Sequence, residues 1–371
     1  MNGFLTYYQQ QSWESLSKAI QSKPEIDVEQ ALAVKGYRNF DDFLALISPA
    51  AAPYIEQMAK LSRELTRKRF GNTIQMYIPM YLSNECQNIC TYCGFSLTND
   101  IPRITLNDKQ IREEIDVIKR YGYDHILLVS GEANKTVGVD YFINALKIAR
   151  AHFSHISMEV QPLDQEHYEQ LAMEGLNTVL VYQETYNKDR YKIYHPKGKK
   201  SNFNYRLDTP DRLGRARVHK IGLGVLLGLE DWRTDSAFCA MHLSYLRKKY
   251  WRTKFSMSFP RLRPAEGIIG PNYEMGEREL LQLICAYRIF DENLELSLST
   301  RERSKFRDNV INLGVTSISA GSKTDPGGYA TEIHALEQFE IDDNRSPLEI
   351  SEMIRSKGLE PVWKDWDLVM G

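Results

Sequence analysis

The chain has no long apolar run and almost no net charge. Of its 371 residues, 47 are Lys or Arg and 49 are Asp or Glu, which leaves a formal net charge of −2 at pH 7. A balance so close to zero gives no electrostatic reason to expect a nucleic-acid partner. The mean hydropathy is −0.45, and no segment approaches the roughly 18 consecutive apolar residues of a membrane-spanning helix. We therefore expect no nucleic acid and no membrane as a partner. Hydrophobic residues still make up 42% of the chain, enough to bury a large core.

The first twenty residues lack the features of an export signal, a basic start followed by an apolar block and a small-residue cleavage site. We therefore expect a cytoplasmic, reducing location, where five cysteines do not indicate disulfides. Their placement is uneven. Cys86, Cys90 and Cys93 fall within eight residues, whereas Cys239 and Cys285 stand alone in amphipathic stretches and are expected to be small buried side chains.

Strand-like and helix-like segments alternate along most of the chain. Eight apolar, β-branched or aromatic runs are predicted strands: 73–82, 125–130, 156–160, 178–182, 221–229, 255–259, 294–298 and 315–319. Amphipathic stretches with helical spacing lie among them: 107–121, 141–153, 165–173, 235–250, 277–290 and 302–313. Eight strands alternating with helices predict a (β/α)8 barrel of the TIM type, whose functional loops follow the C-terminal ends of the strands. An open, doubly wound sheet is the competing architecture.

Additions are expected at both ends of this α/β barrel. Residues 1–70 are predicted to form a helical extension, in which 27–46 and 59–69 are the clearest helical segments. The barrel itself is placed at 71–330. Residues 331–371 are predicted to be a C-terminal tail that packs on the barrel.

Three cysteines on one short loop point to a metal centre. The run Cys86-Gln-Asn-Ile-Cys90-Thr-Tyr-Cys93 follows the first predicted strand, at the functional end of a barrel. Structural zinc sites and ferredoxin-type clusters use four ligands. Here no second cysteine pair and no nearby histidine supplies a fourth. Three ligands leave one coordination position open, which a catalytic centre requires.

The CxxxCxxC pattern, with an aromatic residue before its last cysteine, resembles the radical S-adenosylmethionine (SAM) enzymes. The resemblance implies that Cys86, Cys90 and Cys93 hold a [4Fe–4S] cluster whose fourth iron is chelated by the amino and carboxylate groups of SAM. It also implies that one electron from the cluster cleaves SAM to methionine and a 5′-deoxyadenosyl radical, which abstracts hydrogen from the substrate.

The resemblance also implies contacts to SAM. Gly131 and Glu132 directly follow the second predicted strand, where the family binds the SAM amino group, and Tyr92 belongs to the cysteine motif. Gly224 lies on the fifth predicted strand, in a segment that resembles the one along the adenine; a packing or bulge glycine is the alternative. Four more polar residues lie at strand ends, where a ligand at the barrel mouth would explain them: Glu159, Gln161, Gln183 and Glu184. Ordinary loop caps are the alternative for these four.

Longer sequence blocks narrow the resemblance. RFGNTIQMYIPMYLSNECQNICTYCGFS, MEVQPL, VYQETY, TPDRLGRA, FPRLRP, LSTRE and SISAGSKTDPGGY resemble the 2-iminoacetate synthase family, the tyrosine lyases of thiamine thiazole biosynthesis. The similarity runs from about residue 15 to residue 370. It implies cleavage of the Cα–Cβ bond of L-tyrosine to 4-cresol and 2-iminoacetate (dehydroglycine), with SAM converted to 5′-deoxyadenosine and methionine. The partners it implies are a thiazole synthase subunit and a flavodoxin or ferredoxin that donates electrons.

A tyrosine carboxylate calls for a cation, and the arginine fork is the best match. Arg301 directly follows the seventh predicted strand, and related lyases use an arginine there for the substrate carboxylate. The resemblance therefore assigns this role to Arg301, with Ser319 at the end of the eighth strand as a second donor. The alternative for Arg301 is a salt bridge to Glu302 or to a neighbouring residue, and the alternative for Ser319 is a turn-forming serine.

Other functions remain to be compared. The tyrosine lyase of hydrogenase H-cluster assembly carries a second cluster on C-terminal cysteines, which we do not expect here because no cysteine follows Cys285. A tryptophan lyase stays open, since the sequence does not resolve the side-chain pocket. An iron–sulfur-binding subunit without catalysis is the non-enzyme alternative. The basic run Lys197-Gly-Lys-Lys200 is expected to be a solvated loop.

Overall fold

The computed structural model describes residues 3–265, 270–330 and 337–364. Within them the strands are β1 (Thr73–Ser83), β2 (His125–Ser130), β3 (His155–Glu159), β4 (Thr178–Leu180), β5 (Lys220–Gly224), β6 (Lys254–Ser258), β7 (Glu295–Leu298), β8 (Ser317–Ser319) and β9 (Glu360–Val362). The α-helices are α1 (Phe4–Tyr8), α2 (Trp13–Gln21), α3 (Glu25–Ala33), α4 (Phe40–Ile47), α5 (Ile55–Phe70), α6 (Asp108–Arg120), α7 (Val139–Ala149), α8 (Gln165–Met173), α9 (Lys188–Tyr194), α10 (Phe203–Leu207), α11 (Thr209–Arg215), α12 (Trp232–Lys249), α13 (Glu277–Phe290), α14 (Ser304–Val310) and α15 (Pro347–Ser356).

Strands β1 to β8 form a closed parallel barrel. Each strand from β2 to β7 pairs in parallel with the next along the chain, and β1 pairs with both β2 and β8. The registers Ile78↔Ile126 and Gln75↔Ser317 close the ring. An open sheet would leave two unpaired edges among these eight strands. The prediction of a (β/α)8 barrel is therefore confirmed, and the doubly wound alternative is wrong.

Successive side chains along the barrel strands belong alternately to two packed layers. On β2, Ile126 and Leu128 belong to the large core that the helices cover. Leu127 and Val129 belong instead to a smaller cluster inside the barrel, which includes Tyr81. Successive side chains of a strand point to opposite faces, so β2 (HILLVS) is apolar throughout because both of its faces are buried.

Several predicted bounds differ from the structure by a few residues, and two predicted segments differ more strongly. The run 221–229 was predicted as one strand, but β5 ends at Gly224, and the chain beyond it forms isolated bridges, one of them between Leu227 and Arg261. The run 27–46 was predicted as one helical segment, but it is split into α3 and α4. The break contains Gly36 at φ +101°, and α4 begins at a capping box between Asn39 and Asp42.

Helices α1 to α5 precede the barrel, and residues 337–364 follow it. Strand β9, which the sequence did not predict, pairs in parallel with the start of β1 at the register Thr73↔Glu360. Behind it, Trp363 packs edge-on against Tyr123, with ring centroids 5.1 Å apart. Residues 331–336 and 365–371 of the predicted tail lie outside the described residues. No helix in the described part of the chain is long and apolar enough to cross a membrane.

Candidate active site

The C-terminal ends of the barrel strands surround one cavity. Ten of the residues predicted from the sequence line it: Cys86, Cys90, Cys93, Tyr92, Gly131, Glu132, Glu159, Glu184, Arg301 and Ser319. They come from the loop after β1 and from the ends of five other strands, β2, β3, β4, β7 and β8. The barrel topology therefore brings together residues that are more than 200 positions apart in the chain.

Three predicted residues are not on the cavity wall. Gln161 is buried, and its amide donates to the carbonyl oxygen of Val137 at 2.6 Å. Gln183 is also buried, behind the wall. At Gly224 a Cβ atom would lie 2.9 Å from the ring of Tyr182, so this glycine serves close packing inside the barrel. Their placement does not support the cofactor contacts predicted for them.

The cysteine loop is held in place by backbone contacts. Arg103 donates to four carbonyl oxygens of this loop, two of them, on Asn84 and Phe95, at 2.9 Å. Gly131 donates its N–H to Ser83 at 2.9 Å. A Cβ atom at position 131 would lie 2.2 Å from the carbonyl oxygen of Glu85. Only glycine allows the loop after β2 to approach the cysteine loop this closely.

The three thiols suit a metal cluster. Burial raises the pKa of each, that of Cys86 to about 11, while the neighbouring Lys200 acts to lower the pKa of Cys90 and Cys93. Thiols of this kind become thiolates when a bound metal supplies the positive charge. Among the described residues, no three His, Cys, Asp or Glu side chains surround a single-ion site. In an iron–sulfur cluster each of three thiolates binds a different iron.

A buried network of charges lies beside the cysteine loop. Arg206 donates to Glu132 at 2.9 Å and to Glu184 at 3.4 Å, and Lys200 donates to Glu184 at 2.7 Å. Asn88 gives Glu132 a further hydrogen bond at 2.8 Å. Burial alone would raise the pKa of Glu132, but Arg206 and Lys200 hold it below its ordinary value. Glu132 is therefore a fixed carboxylate on the cavity wall, suited to an ammonium ligand.

Sequence reasoning missed two of these cations. Lys200 was expected to lie in a solvated loop, but its side chain is largely buried and its ammonium lies 5.5 Å from the ring centroid of Tyr92. Arg206 belongs to the short helix α10, which no periodic pattern indicated. A cue was available in Glu132 and Glu184, because buried carboxylates require cationic partners.

Tyr92 is fixed by a chain of hydrogen bonds. Its hydroxyl lies 2.7 Å from Nε2 of His195, and Nδ1 of His195 lies 2.9 Å from the carbonyl oxygen of Tyr191. A carbonyl can only accept, so Nδ1 carries the proton and Nε2 accepts from the Tyr92 hydroxyl. Burial lowers the pKa of His195 well below its ordinary value, which keeps the imidazole neutral.

Arg301 lies on the wall formed by the loops after β6 and β7. Its guanidinium donates to the carbonyl oxygen of Arg261 at 3.3 Å and stacks on Phe339, 3.3 Å from the ring centroid. The predicted alternative, a salt bridge to Glu302, is wrong, because Glu302 pairs with Arg261 at 2.8 Å. Among the described residues no carboxylate lies within ion-pair distance of Arg301. The cation can therefore bind an anionic ligand.

Ser319 and Glu159 complete this part of the cavity. The Ser319 hydroxyl accepts from the N–H of Thr300 at 3.2 Å, and its hydrogen bond to Tyr77 acts to lower the pKa of that tyrosine against the effect of burial. Burial, together with the charge of Glu184, raises the pKa of Glu159 to about 7. Glu159 therefore changes its charge near neutral pH.

The interior between the two walls is aromatic and apolar. Tyr77, Tyr81 and Tyr182 line it with Leu127 and Val129. Burial raises the pKa of all three tyrosines, so their hydroxyls stay protonated. Such a lining suits an aromatic ring that also carries a polar group.

Comparison with known proteins gives a consistent result. The model of the radical SAM superfamily matches residues 80–237, and that of the biotin and thiamin synthesis associated domain matches residues 258–360. The 2-iminoacetate synthases of Salmonella typhimurium and Escherichia coli are 49% and 50% identical to this chain over 372 residues, with 100% of this chain and 98% of each relative covered.

Two solved structures share the architecture. The crystal structure of HydG, a maturase of the [FeFe]-hydrogenase, has a TM-score of 0.88 and 30% identity, covering 94% of this chain and 79% of HydG. Methylornithine synthase (PylB) has a TM-score of 0.70 at 16% identity, covering 94% of this chain and 97% of its own, and shows the fold alone. Taken with the nearly full-length identity to the two synthases, these matches establish that the chain belongs to the 2-iminoacetate synthase family of radical SAM enzymes.

Proposed function

We propose that the barrel cavity is the site at which this radical SAM carbon–carbon lyase cleaves the Cα–Cβ bond of L-tyrosine to 2-iminoacetate and 4-cresol. One observation carries the proposal. A single cavity is lined by three thiols, by the fixed carboxylate Glu132 and by Arg301, which has no carboxylate partner among the described residues. The thiols and Glu132 suit a cluster with SAM, and Arg301 suits the carboxylate of an amino acid.

Cys86, Cys90 and Cys93 would hold the [4Fe–4S] cluster, with SAM beside it. When bound, the cluster would supply the electron that cleaves SAM and so begins the radical reaction. Glu132 would accept hydrogen bonds from the SAM ammonium, next to the close backbone approach at Gly131. Lys200 and Arg206 hold the carboxyl groups of Glu132 and Glu184 in place by hydrogen bonds before the cofactor arrives.

Arg301 and Ser319 would bind the tyrosine carboxylate. The charge of Arg301 is paired with no acid of the described chain, so the substrate carboxylate gains a full ion pair in a buried site. The aromatic side chain would then lie among Tyr77, Tyr81 and Tyr182. This enclosure orients the Cα–Cβ bond and excludes water from the reacting atoms.

The test is an anaerobic assay of the iron–sulfur-reconstituted protein with SAM and dithionite, once with tyrosine and once with tryptophan. Chromatography follows 5′-deoxyadenosine, 4-cresol and glyoxylate, the hydrolysis product of 2-iminoacetate. The proposal predicts tyrosine-dependent cresol with stoichiometric deoxyadenosine. Products from tryptophan alone would favour the tryptophan lyase. No deoxyadenosine from a protein with an intact cluster would contradict the enzyme function.

An acidic one-electron carrier, a flavodoxin or ferredoxin, is the proposed reductant. Segment 194–200 runs beside the cysteine loop, with the N–H of Ile89 donating to Lys197 at 3.0 Å. Lys197 and Lys199 are exposed on it, and Lys135 is exposed on the loop after β2. The double substitution Lys197→Glu and Lys199→Glu should slow turnover driven by reduced flavodoxin and leave dithionite-driven turnover unchanged.

A thiazole synthase subunit is the proposed acceptor of the product. The imine 2-iminoacetate hydrolyses in water, so direct transfer to the enzyme that consumes it would limit its loss. A reducing compartment such as the cytoplasm is the proposed location, since it would preserve the three ligand thiols.

A further inference from the structure

The segment 337–339 reaches the cavity after β8 and docks on the cysteine loop through its backbone. The N–H of Gly94 donates to the carbonyl oxygen of Gln338 at 3.1 Å, and the N–H of Gln338 donates to Thr324 at 3.0 Å. A Cβ atom at position 94 would lie 2.8 Å from the carbonyl oxygen of Glu337 and 2.9 Å from that of Gln338. Glycine at position 94, directly after Cys93, is therefore required for this contact.

The side chain of Gln338 points at a cluster ligand. The hydroxyl of Tyr81 donates to Oε1 of Gln338 at 2.8 Å, and Nε2 of Gln338 lies 3.8 Å from the sulfur of Cys93. Tyr81 is itself held by edge-on packing against Phe95, with centroids 5.9 Å apart. The reverse amide orientation would place the carbonyl oxygen against a thiolate, so the donor side of the amide faces the sulfur.

The next residue, Phe339, contacts the proposed substrate-binding arginine. Phe339 lies under the guanidinium of Arg301, the proposed carboxylate-binding cation. Two consecutive residues thus contact a cluster ligand and a substrate-binding group. Neither residue belongs to a motif that marked the site in the sequence.

We propose that Gln338 is a positioning residue that tunes the cluster, by donating an amide N–H hydrogen bond to the sulfur of Cys93. The added electron places negative charge on the cluster and its sulfur ligands. A donor aimed at sulfur stabilises the reduced form more than the oxidised form, and so raises the reduction potential. This inference rests on the proposed binding of the cluster by Cys86, Cys90 and Cys93.

The test is a redox titration of the anaerobically reconstituted protein, followed by electron paramagnetic resonance without SAM and without tyrosine. Gln338→Met keeps the length of the side chain but removes the donor, and Gln338→Glu adds a negative charge. Both should shift the midpoint potential to more negative values, Gln338→Glu further. The expected change in the reduction equilibrium for Gln338→Met is several-fold; tenfold would correspond to about 59 mV for one electron.

Two controls separate this effect from general damage. Gln170→Met, an exposed glutamine on α8, should leave the potential unchanged. Tyr81→Phe keeps Gln338 but removes the hydroxyl that holds its amide, so the midpoint potential should shift in the same direction by a smaller amount. This variant provides the test if the Gln338 variants bind too little iron to be titrated. An unchanged or more positive potential in Gln338→Met or in Tyr81→Phe overturns the inference. The titration uses no substrate, so failure to form cresol would count against the proposed function alone.

Discussion

Two buried carboxyl groups of the cavity have pKa values that are shifted in opposite directions. Glu132 is held ionised by Arg206 and Lys200, whereas Glu159 is buried near Glu184 and its pKa is raised from 4.5 to about 7. A raised carboxyl pKa means that the folded protein binds this proton more tightly than the unfolded chain. The contribution of Glu159 to stability is therefore present at low pH and is lost as pH rises from about 4.5 to 7.

Glu159→Gln should remove this pH dependence. The substituted protein should gain free energy of unfolding relative to the parent between pH 5 and pH 7, by at most about 1.4 kcal/mol per pH unit, the value for one proton. Urea unfolding of the metal-free protein at several pH values measures the difference. Glu166→Gln, at an exposed position on α8, is the control. Parallel curves for the parent and Glu159→Gln would contradict the prediction.

The sequence predicted best those side chains that immediately follow strands. Glu132 and Arg301 could be placed because a parallel barrel collects its strand ends around one opening. Lys200 could not, because its burial depends on contacts with Glu184 and Tyr92, which lie elsewhere in the chain. The same rule also selected Gln161, which lies off the cavity wall, because a polar residue near a strand end can also bind a neighbouring backbone carbonyl.

Among the elements, the cysteine loop depends most on a single side chain. Arg103 donates to carbonyl oxygens of Asn84, Phe95, Ser96 and Asn99, and these four residues span the cysteines. Charged hydrogen bonds contribute about 1.5–3 kcal/mol each, and together they restrict the loop. The loop has no helix or long strand of its own to hold the thiols in position.

Arg103→Ala should therefore loosen the cluster while the barrel stays folded. We expect loss of iron to a chelator to be at least about tenfold faster than in the parent, since more than 1.4 kcal/mol of restraint is removed. Iron content and circular dichroism are measured on the same sample. Arg112→Ala, at an exposed position on α6, should behave as the parent does. Equal rates of iron loss in Arg103→Ala and the parent would show that the loop is held by other contacts.

The ends of some helices and strands could not be predicted from the local sequence pattern alone. The apolar run through Leu229 continues past β5 because its residues pack in buried clusters while forming only isolated bridges. Strand β9 has three residues with a proline among them, too short and too atypical to predict, and it forms because the start of β1 offers a free edge. Helices α6, α8 and α13 agreed with the sequence prediction to within a residue at each end, whereas α5, α7 and α12 differ from it by two to four residues at one or both ends.

For the whole molecule, buried neutral histidines set the response to acid. Burial lowers the pKa of His242 to about 3 and those of His155 and His195 well below the ordinary value of 6.5. His242 stacks on Phe4, with centroids 3.8 Å apart, and so joins helix α1 to the barrel. Between pH 6.5 and pH 3 the unfolded chain binds protons that the folded chain does not, so stability falls as pH falls.

His242→Gln should reduce this acid sensitivity. Below pH 6.5 the free energy of unfolding of the parent should fall by about 1.4 kcal/mol per pH unit for each such histidine. In the variant, which lacks one of these histidines, the fall per pH unit should be smaller by the contribution of one histidine. Urea unfolding of the metal-free protein from pH 7.5 to pH 5 measures it. His167→Gln on α8 should keep the parental slope. A parental slope in His242→Gln would show that His242 takes up its proton in the folded protein.

The central claim is that one cavity joins the cluster side to a carboxylate-binding arginine, and 4-cresol formation by arginine variants tests it most directly. Arg301→Ala and Arg303→Ala would be reconstituted and assayed anaerobically with SAM, dithionite and tyrosine. Arg303 is exposed, pairs with Glu277, and lies two residues away. We predict that Arg301→Ala keeps its iron but loses on the order of a hundredfold in kcat/KM for cresol, as expected for a lost charged pair of about 3 kcal/mol. Arg303→Ala should match the parent. Cresol formation by Arg301→Ala at the parental rate would contradict the account.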